Sequence, residues 1–291
     1  MIAGIISNSS RDIKYEIANR CAAFLAGHGS VAVFERELSD EPDIKKGAYI
    51  RFDDLKGCDV IISIGGDGTL LSAVSKYRDL DIPFIGINKG SIGFLTDIDV
   101  PVLEECLNKI LEGRYEILER SQLFCQVISE DGTVRDEFVC LNDCVVTRGA
   151  KLNIVKMDLF IDGQYVEKFY GDGIIVSTPT GSTAYSLAAG GPILMPHMKN
   201  MIVTPLCPHT LQSSCYCLAD SSIIEIKLGE FESAPIISGD GRTSIELLKN
   251  DTVRITGFKS TIKTIMLGNA GFFETVRKKI TARGSFYEHK K

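Results

Sequence analysis

Apolar and polar positions change rhythm along the chain near Tyr115. Before that point, short solid apolar runs alternate with stretches of helical spacing. Residues 2–6 form such a run, followed by Ile13, Ile17, Cys21 and Leu25, which recur every four residues and stop at Gly27. This spacing predicts a buried strand and then an amphipathic helix. Further apolar runs at residues 31–34, 60–64 and 83–87 are separated by helix-compatible segments, the arrangement of an open parallel sheet. After Pro101, Leu103, Cys106, Leu107, Ile110 and Leu111 share one helical face, and Gly113 supplies a stop.

From Tyr115 onward the period becomes two. Residues 122–128, 134–140, 154–161 and 223–227 alternate, with Asp131-Gly132 and Asp162-Gly163 as turn pairs, which predicts a mostly antiparallel half. Another alternating run, 253–267, precedes Gly268-Asn269-Ala270-Gly271, and Phe272, Phe273, Val276 and Ile280 then suit a final short helix. The expected fold is an α/β N-terminal domain with a Rossmann-like parallel sheet over residues 1–113 and a β-rich, sandwich-like domain over 114–271. Residues 272–291 are expected to pack back on the first domain, with the polar tail beyond Gly284 disordered.

Composition narrows the partners. The 291 residues are 44% hydrophobic, enough for a sizeable core, and the net charge of −6 comes without any long run of lysine or arginine. The phosphate backbone of a nucleic acid would find no basic stripe, so no nucleic-acid partner is expected. No apolar stretch approaches the roughly 20 residues that cross a bilayer. Residues 1–10 lack the charged front and cleavage end of a signal peptide, so the expectation is a cytoplasmic protein with no membrane partner. The nine cysteines are scattered through apolar segments, as reduced core residues are. Cys207, Cys215 and Cys217 form the tightest group, open to a packing role or to a metal or redox role.

Four segments carry candidate chemistry. In Ile64-Gly65-Gly66-Asp67-Gly68-Thr69-Leu70-Leu71, a buried strand ends and a helix begins. Glycines there let backbone N–H groups approach a phosphate, and the helix offers its positive end. Asp67 would repel that phosphate unless it served a metal or took a proton. The same spelling also suits a tight turn with Asp67 capping the helix. Asn88-Lys89-Gly90-Ser91-Ile92-Gly93-Phe94-Leu95-Thr96 again follows a strand, either lining the same sheet edge or serving as a plain connection. Asn142-Asp143 joins two apolar runs as a grip for a ribose diol or as a turn. The longest block runs from Tyr170-Gly171-Asp172-Gly173 through Thr178-Pro179-Thr180-Gly181-Ser182-Thr183-Ala184-Tyr185-Ser186 to Gly191-Pro192. It places dense small hydroxyl residues at a strand-to-helix corner, where Tyr185 can stack on a flat base. Arg148 and Lys151 are candidate partners for phosphate, or solvated surface charges.

These four segments, in this order, resemble the NAD kinase family. The Gly-Gly-Asp-Gly-Thr element is shared with diacylglycerol and sphingosine kinases; the block from Gly171 to Pro192 is the more specific. The resemblance implies phosphoryl transfer from ATP, another triphosphate or polyphosphate to the 2′-hydroxyl of the adenosine ribose of NAD. It implies a homodimer or homotetramer whose active site lies between the domains and borrows from a neighbouring subunit. Residue by residue, Asp67 resembles the group that orients and deprotonates the hydroxyl, with Gly66 and Gly68 leaving room for phosphates. Asn142 and Asp143 resemble the pair that binds the dinucleotide, Asp172 a carboxylate near the nicotinamide, and Thr183, Ala184, Tyr185 and Ser186 the adenine and ribose wall. Phe94 adds an apolar contact. A divalent metal, usually magnesium, would be held mainly by phosphates and water, with no metal-ligating residues in the chain.

The chain also departs from the family. After Pro208-His209-Thr210-Leu211 it carries Gln212-Ser213-Ser214-Cys215, where the family usually has Ser-x-Arg-Pro. Arg242 stands where many relatives carry glutamine and Tyr170 where many carry a basic residue; both positions touch the dinucleotide by resemblance, so the choice between NAD and NADH could differ. Two rivals share parts of the pattern. A lipid kinase would keep Asp67 but need a membrane-facing surface, and a silent dinucleotide sensor would gain little from Asp67.

Overall fold

In this computed structural model the described residues are 1–89, 93–149, 153–209, 214–268 and 271–284. The chain opens with β1 (Ile2–Ser7), whose Ala3, Ile5 and Ile6 are buried. Asp12 then accepts hydrogen bonds from the backbone N–H groups of Ile17 and Ala18 at 2.9 and 3.0 Å, satisfying donors that the start of α1 (Glu16–Gly27) would leave orphaned. Ile13 belongs to a preceding tight turn and is 67% exposed, so the helix starts one turn later than its period-four pattern suggested. β2 (Val31–Glu35), β3 (Ile50–Asp53), β4 (Val60–Gly65), α2 (Asp67–Tyr77), β5 (Phe84–Asn88), β6 (Ile98–Asp99), α3 (Leu103–Leu111) and β7 (Glu116–Arg120) follow.

The second half runs through β8 (Leu123–Ile128), β9 (Val134–Cys140), β10 (Asp143–Thr147), β11 (Val155–Ile161), β12 (Gln164–Gly171), β13 (Gly173–Ser177), the short α4 (Tyr185–Ala188), β14 (Asn200–Leu206), β15 (Tyr216–Ala219), β16 (Ile224–Leu228), β17 (Ile236–Gly239), β18 (Thr243–Glu246) and β19 (Thr252–Gly257). β20 (Ile262–Met266) and α5 (Phe272–Gly284) close it.

The first sheet has the order β3-β2-β1-β4-β5-β20-β7, with β6 on β5. β1 pairs parallel with β2 and β4, and β5 pairs parallel with β4, β6 and β20, so the carboxyl ends of β1, β4 and β5 share one edge. Every residue of β4 and β5 is buried. Burying one such aliphatic side chain is worth about 1.5–3 kcal/mol, so these strands are committed to the core and their polar chemistry is displaced to their ends.

The second and third sheets are antiparallel, in the orders β15-β14-β13-β10-β17-β18 and β12-β11-β16-β19-β8-β9. Cys125, Val127, Met157 and Ile255 of one sheet and Val146, Val176, Val203 and Ile237 of the other share a single buried cluster, which makes a sandwich. Asp162 and Gly163 both take positive φ, as a two-residue hairpin turn requires.

Packing divides the chain into one unit of residues 1–118 with the segment from Ile262 onward, and another of Glu119–Thr261. The sequence pattern placed these limits at 113 and 271. It took β7 for the start of the antiparallel half, whereas β7 lies at the edge of the first sheet beside β20. The run 253–267 is likewise two strands in different sheets, broken at 258–261. α5 buries Val276 but leaves Phe273 65% exposed. The tail beyond Gly284 lies outside the described residues, and among those no helix is long and apolar enough to cross a membrane.

Candidate functional site

In the first unit, the Gly-Gly-Asp-Gly-Thr turn leaves β4 with Gly65 at φ +155°. A Cβ there would collide with the Thr69 hydroxyl, so the turn needs glycine. α2 opens with Thr69 and Leu70 donating to the Gly66 carbonyl at 2.9 and 3.2 Å. Asp67 does not cap this helix. Its carboxylate accepts the backbone N–H groups of Phe94 at 2.7 Å and Leu95 at 2.9 Å. The turn after β4 and the segment after β5 thereby become one site, and a Cβ on Gly93 would strike Asp67 Oδ1. Two amide donors hold the carboxylate in one orientation, while each oxygen keeps a lone pair for a hydroxyl proton. Gly66 is half-buried and Gly68 exposed at the start of α2.

Asn8 and Ser63, which the sequence pattern did not single out, complete this edge with Asn88 and Thr96. Asn8 donates from its backbone to Ile64 at 3.1 Å and from Nδ2 to Thr69 Oγ1 at 3.3 Å. Ser63 Oγ, Asn88 Oδ1 and Thr96 Oγ1 are buried without a protein partner. Ser63 is the cross-strand partner of Gly86, and Thr96 packs over that same glycine. A parallel sheet alone would have pointed to Asn8, because every strand running the same way ends at the same edge. Gly90, Ser91 and Ile92 lie outside the described residues.

In the second unit, the tip of the β17–β18 hairpin places Asp240 and Gly241 at φ +49° and +66°. The Asp240 carboxylate accepts the backbone N–H groups of Leu141 (2.8 Å), Asn142 (2.7 Å) and Asp143 (3.1 Å). Asp143 is 6% exposed, and burial first, then the Asp240 charge, push its carboxyl up to about 7. Opposite it, Ser177 Oγ is buried and unpartnered, as is Asn142 Oδ1. Arg242 donates from its backbone to Gly239 at 2.9 Å on the same hairpin.

The hydroxyl block builds this corner more than it faces outward. Thr178 Oγ1 donates to the Leu141 carbonyl at 2.6 Å, Ser182 Oγ donates to that of Pro179 at 2.6 Å, and Ser186 Oγ lies 3.0 Å from Thr204 Oγ1. Thr183 is buried, its hydroxyl donating to the Thr180 carbonyl at 3.3 Å. Of the residues read as an adenine and ribose wall, Ala184 is half-buried and Tyr185 is 50% exposed.

Asp172 and Tyr170 are set apart. In the pairing of β10 with β13, Asp143 lies opposite Ser177 and Thr147 opposite Gly173, so Asp172 lies five residues, about 17 Å, along the strands from Asp143. Asp172 Oδ1 is 2.9 Å from Arg148 Nε, so Arg148 is engaged in an ion pair on this strand end. Tyr170 is 36% exposed on the edge strand β12. Phe94 is half-buried in the first unit, and Lys151 lies outside the described residues.

Among the described residues no three His, Cys, Asp or Glu side chains gather into a metal cage. Cys207 and Cys217 are exposed, and Cys215 contacts the Gly190 carbonyl. Beside Gly93 the Asp67 carboxylate meets the neutral Thr96 hydroxyl, a pairing that would suit a magnesium ion held chiefly by phosphate and water.

In the first unit, a carboxylate fixed by the Phe94 and Leu95 amides beside the start of α2 at a parallel sheet edge suits a nucleotide-dependent phosphotransferase. Residues 3–115 match the pattern of the ATP-NAD kinase N-terminal domain and residues 141–267 that of the ATP-NAD kinase C-terminal domain. The chain belongs to the NAD kinase family. It is 34% identical over 280 residues to the NAD kinase of Caldanaerobacter subterraneus subsp. tengcongensis, covering 96% of this chain and 99% of that one. It is 35% identical over 282 residues to the NAD kinase of Ruminiclostridium cellulolyticum, covering 96% and 98%. The crystal structure of yeast NADH kinase complexed with NADH superposes with a TM-score of 0.87 at 24% identity, over 100% of this chain and 89% of that one. An NAD kinase from Archaeoglobus fulgidus in complex with ATP gives 0.75 at 24%, over 97% and 99%. At that identity the two structures establish the shared fold.

Proposed function

We propose that this chain transfers the terminal phosphoryl group of ATP to the 2′-hydroxyl of the adenosine ribose of NAD, giving NADP and ADP. The observation that carries the reading is the seating of Asp67, whose carboxylate is aligned by Phe94 and Leu95 at the edge where phosphates meet the start of α2. Asp67 accepts the proton of the 2′-hydroxyl as its oxygen attacks the γ-phosphorus; the bond to the bridging oxygen breaks and ADP leaves with that electron pair. Amides at the start of α2 face the charge on the transferring group. Asn142 and Asp143, with Tyr185 as a stacking surface, bind the dinucleotide.

The spacing of Asp172 from Asp143 supports an elongated ligand or a contribution from a second copy of the chain, in line with a homo-oligomer. Magnesium, bound through the phosphates, would offset charge on the donor. Work in the cytoplasm and use of polyphosphate as an alternative donor complete the reading. The test is NADP formation from NAD, ATP and magnesium, read with an NADP-specific dehydrogenase. Steady NADP production supports the reading, and its absence with ATP and polyphosphate alike overturns it.

A further inference from the structure

Lys89 has no part in the reaction above, yet its place is specific. Its backbone N–H donates to the Gly65 carbonyl at 2.8 Å, so it stands against the turn that presents Asp67. Its ammonium reaches the start of α1, 3.4 Å from Asp12 Oδ1 and 3.7 Å from Glu16 Oε2. Asp12 also has other partners. Fully buried, it already accepts Ser7 Oγ at 2.9 Å and the N–H groups of Ile17 and Ala18. Both ammonium distances exceed the roughly 2.7–2.9 Å of a tight charge-assisted bond, and the Glu16 side chain is 69% exposed, where an ion pair contributes little. The ammonium is therefore held in place with donor capacity to spare, on a side chain 27% open to solvent.

Charge around the turn gives this position a purpose. Asn8 ties the end of β1 to Ile64 and Thr69, so the ends of β1, β4 and β5 meet the first turns of α1 and α2. Asp12 and Glu16 bring two carboxylates to the Lys89 ammonium, and Asp67 at the start of α2 adds a third to this sheet edge, all repulsive to phosphate, with Lys89 as a cation beside them. We propose that Lys89 binds the terminal phosphates of the phosphoryl donor, with Asp12 and Glu16 holding its ammonium at the sheet edge. When the donor arrives, the ammonium exchanges its loose contact with Glu16 for a phosphate oxygen; no covalent bond or proton moves. A compact point charge suits this task, because lysine grips phosphate without the fixed fork of arginine. The inference rests on the kinase reading above and deepens it by naming the donor's partner.

The experiment compares the full-length protein with its Lys89→Met, Lys89→Arg and Glu16→Gln variants, with inorganic tripolyphosphate as a probe of the phosphate site. Losing one charged contact to phosphate should raise the KM for ATP about 10- to 100-fold. The KM for NAD should stay within about twofold. Tripolyphosphate should compete with ATP in the wild type and fail to do so in Lys89→Met, while Lys89→Arg recovers most of the loss. Glu16→Gln, on an exposed side chain, keeps the fold and should bind tripolyphosphate several-fold more tightly by calorimetry, so it decides the matter even where Lys89→Met does not fold. Unchanged ATP KM in Lys89→Met, or unchanged tripolyphosphate binding in Glu16→Gln, overturns the proposal. If the wild type makes no NADP at all, the reaction reading fails instead, while tripolyphosphate binding still reports on Lys89.

Discussion

Asp143 is buried beside Asp240, and the two carboxyl groups are treated in opposite ways. Asp240 takes three backbone N–H groups, whereas Asp143 is buried without such donors and is pushed up to about 7. A carboxyl whose folded value lies above its unfolded value keeps a proton that the unfolded chain has released. Raising the pH from about 4 to about 7 therefore favours unfolding through this group. A tenfold change in proton affinity between the folded and unfolded chain is worth about 1.4 kcal/mol, so the loss is about 4 kcal/mol at most. Asp143→Asn should flatten this slope and exceed the wild type in stability at pH 8. Urea midpoints at pH 5 and pH 8 check this, and parallel pH dependences in the two proteins would rule it out.

Removing Asp240 strands the amides of residues 141–143. An unsatisfied buried amide costs about 1–3 kcal/mol, so Asp240→Ala should lower the melting temperature markedly and abolish NAD binding. Asp240→Asn, which still offers one acceptor oxygen, should fall between. Melting curves with and without NAD give both readouts.

A methyl group on Gly93 would meet Asp67 Oδ1. Gly93→Ala should displace that carboxylate and cut kcat by at least about 10²-fold, the scale of general-base catalysis. The KM for NAD should move little, because the Asn142 corner is untouched. A normal kcat would mean the segment relaxes without disturbing Asp67.

Tyr185 is half exposed, so little of the fold rests on its ring. Tyr185→Ala should change stability by less than about 0.5 kcal/mol and raise the KM for NAD about tenfold, as loss of a stacking contact of about 1–3 kcal/mol implies. Equal KM values would remove the ring from the site.

Much of this was readable in advance because local patterns dictate it. The buried runs that became β1, β4 and β5 are solidly apolar, and the glycines after β4 announce a strand-to-helix turn. β3 escaped notice because Ile50-Arg51-Phe52-Asp53 is four residues long and only half-buried at a sheet edge. β7 was assigned to the wrong sheet, since alternation shows that a strand exists without showing what it pairs with. The Asp67 bonds to Phe94 and Leu95 and those from Asp240 to residues 141–143 span 27 to 99 positions, and no local rule relates such residues. The hydroxyls of residues 178–186 were expected to line a ligand; several instead face carbonyls within their own corner, because small side chains at a tight bend reach backbone before solvent.

The most direct measurement is NADP formation by Asp67→Asn under saturating NAD and ATP, with NAD binding followed separately by calorimetry. Asparagine keeps the shape and can still accept a backbone N–H, but it cannot take the hydroxyl proton. Turnover should fall by at least about 10²-fold while NAD binds as in the wild type. Turnover close to the wild-type rate, with binding intact, would contradict the role of Asp67 as the base.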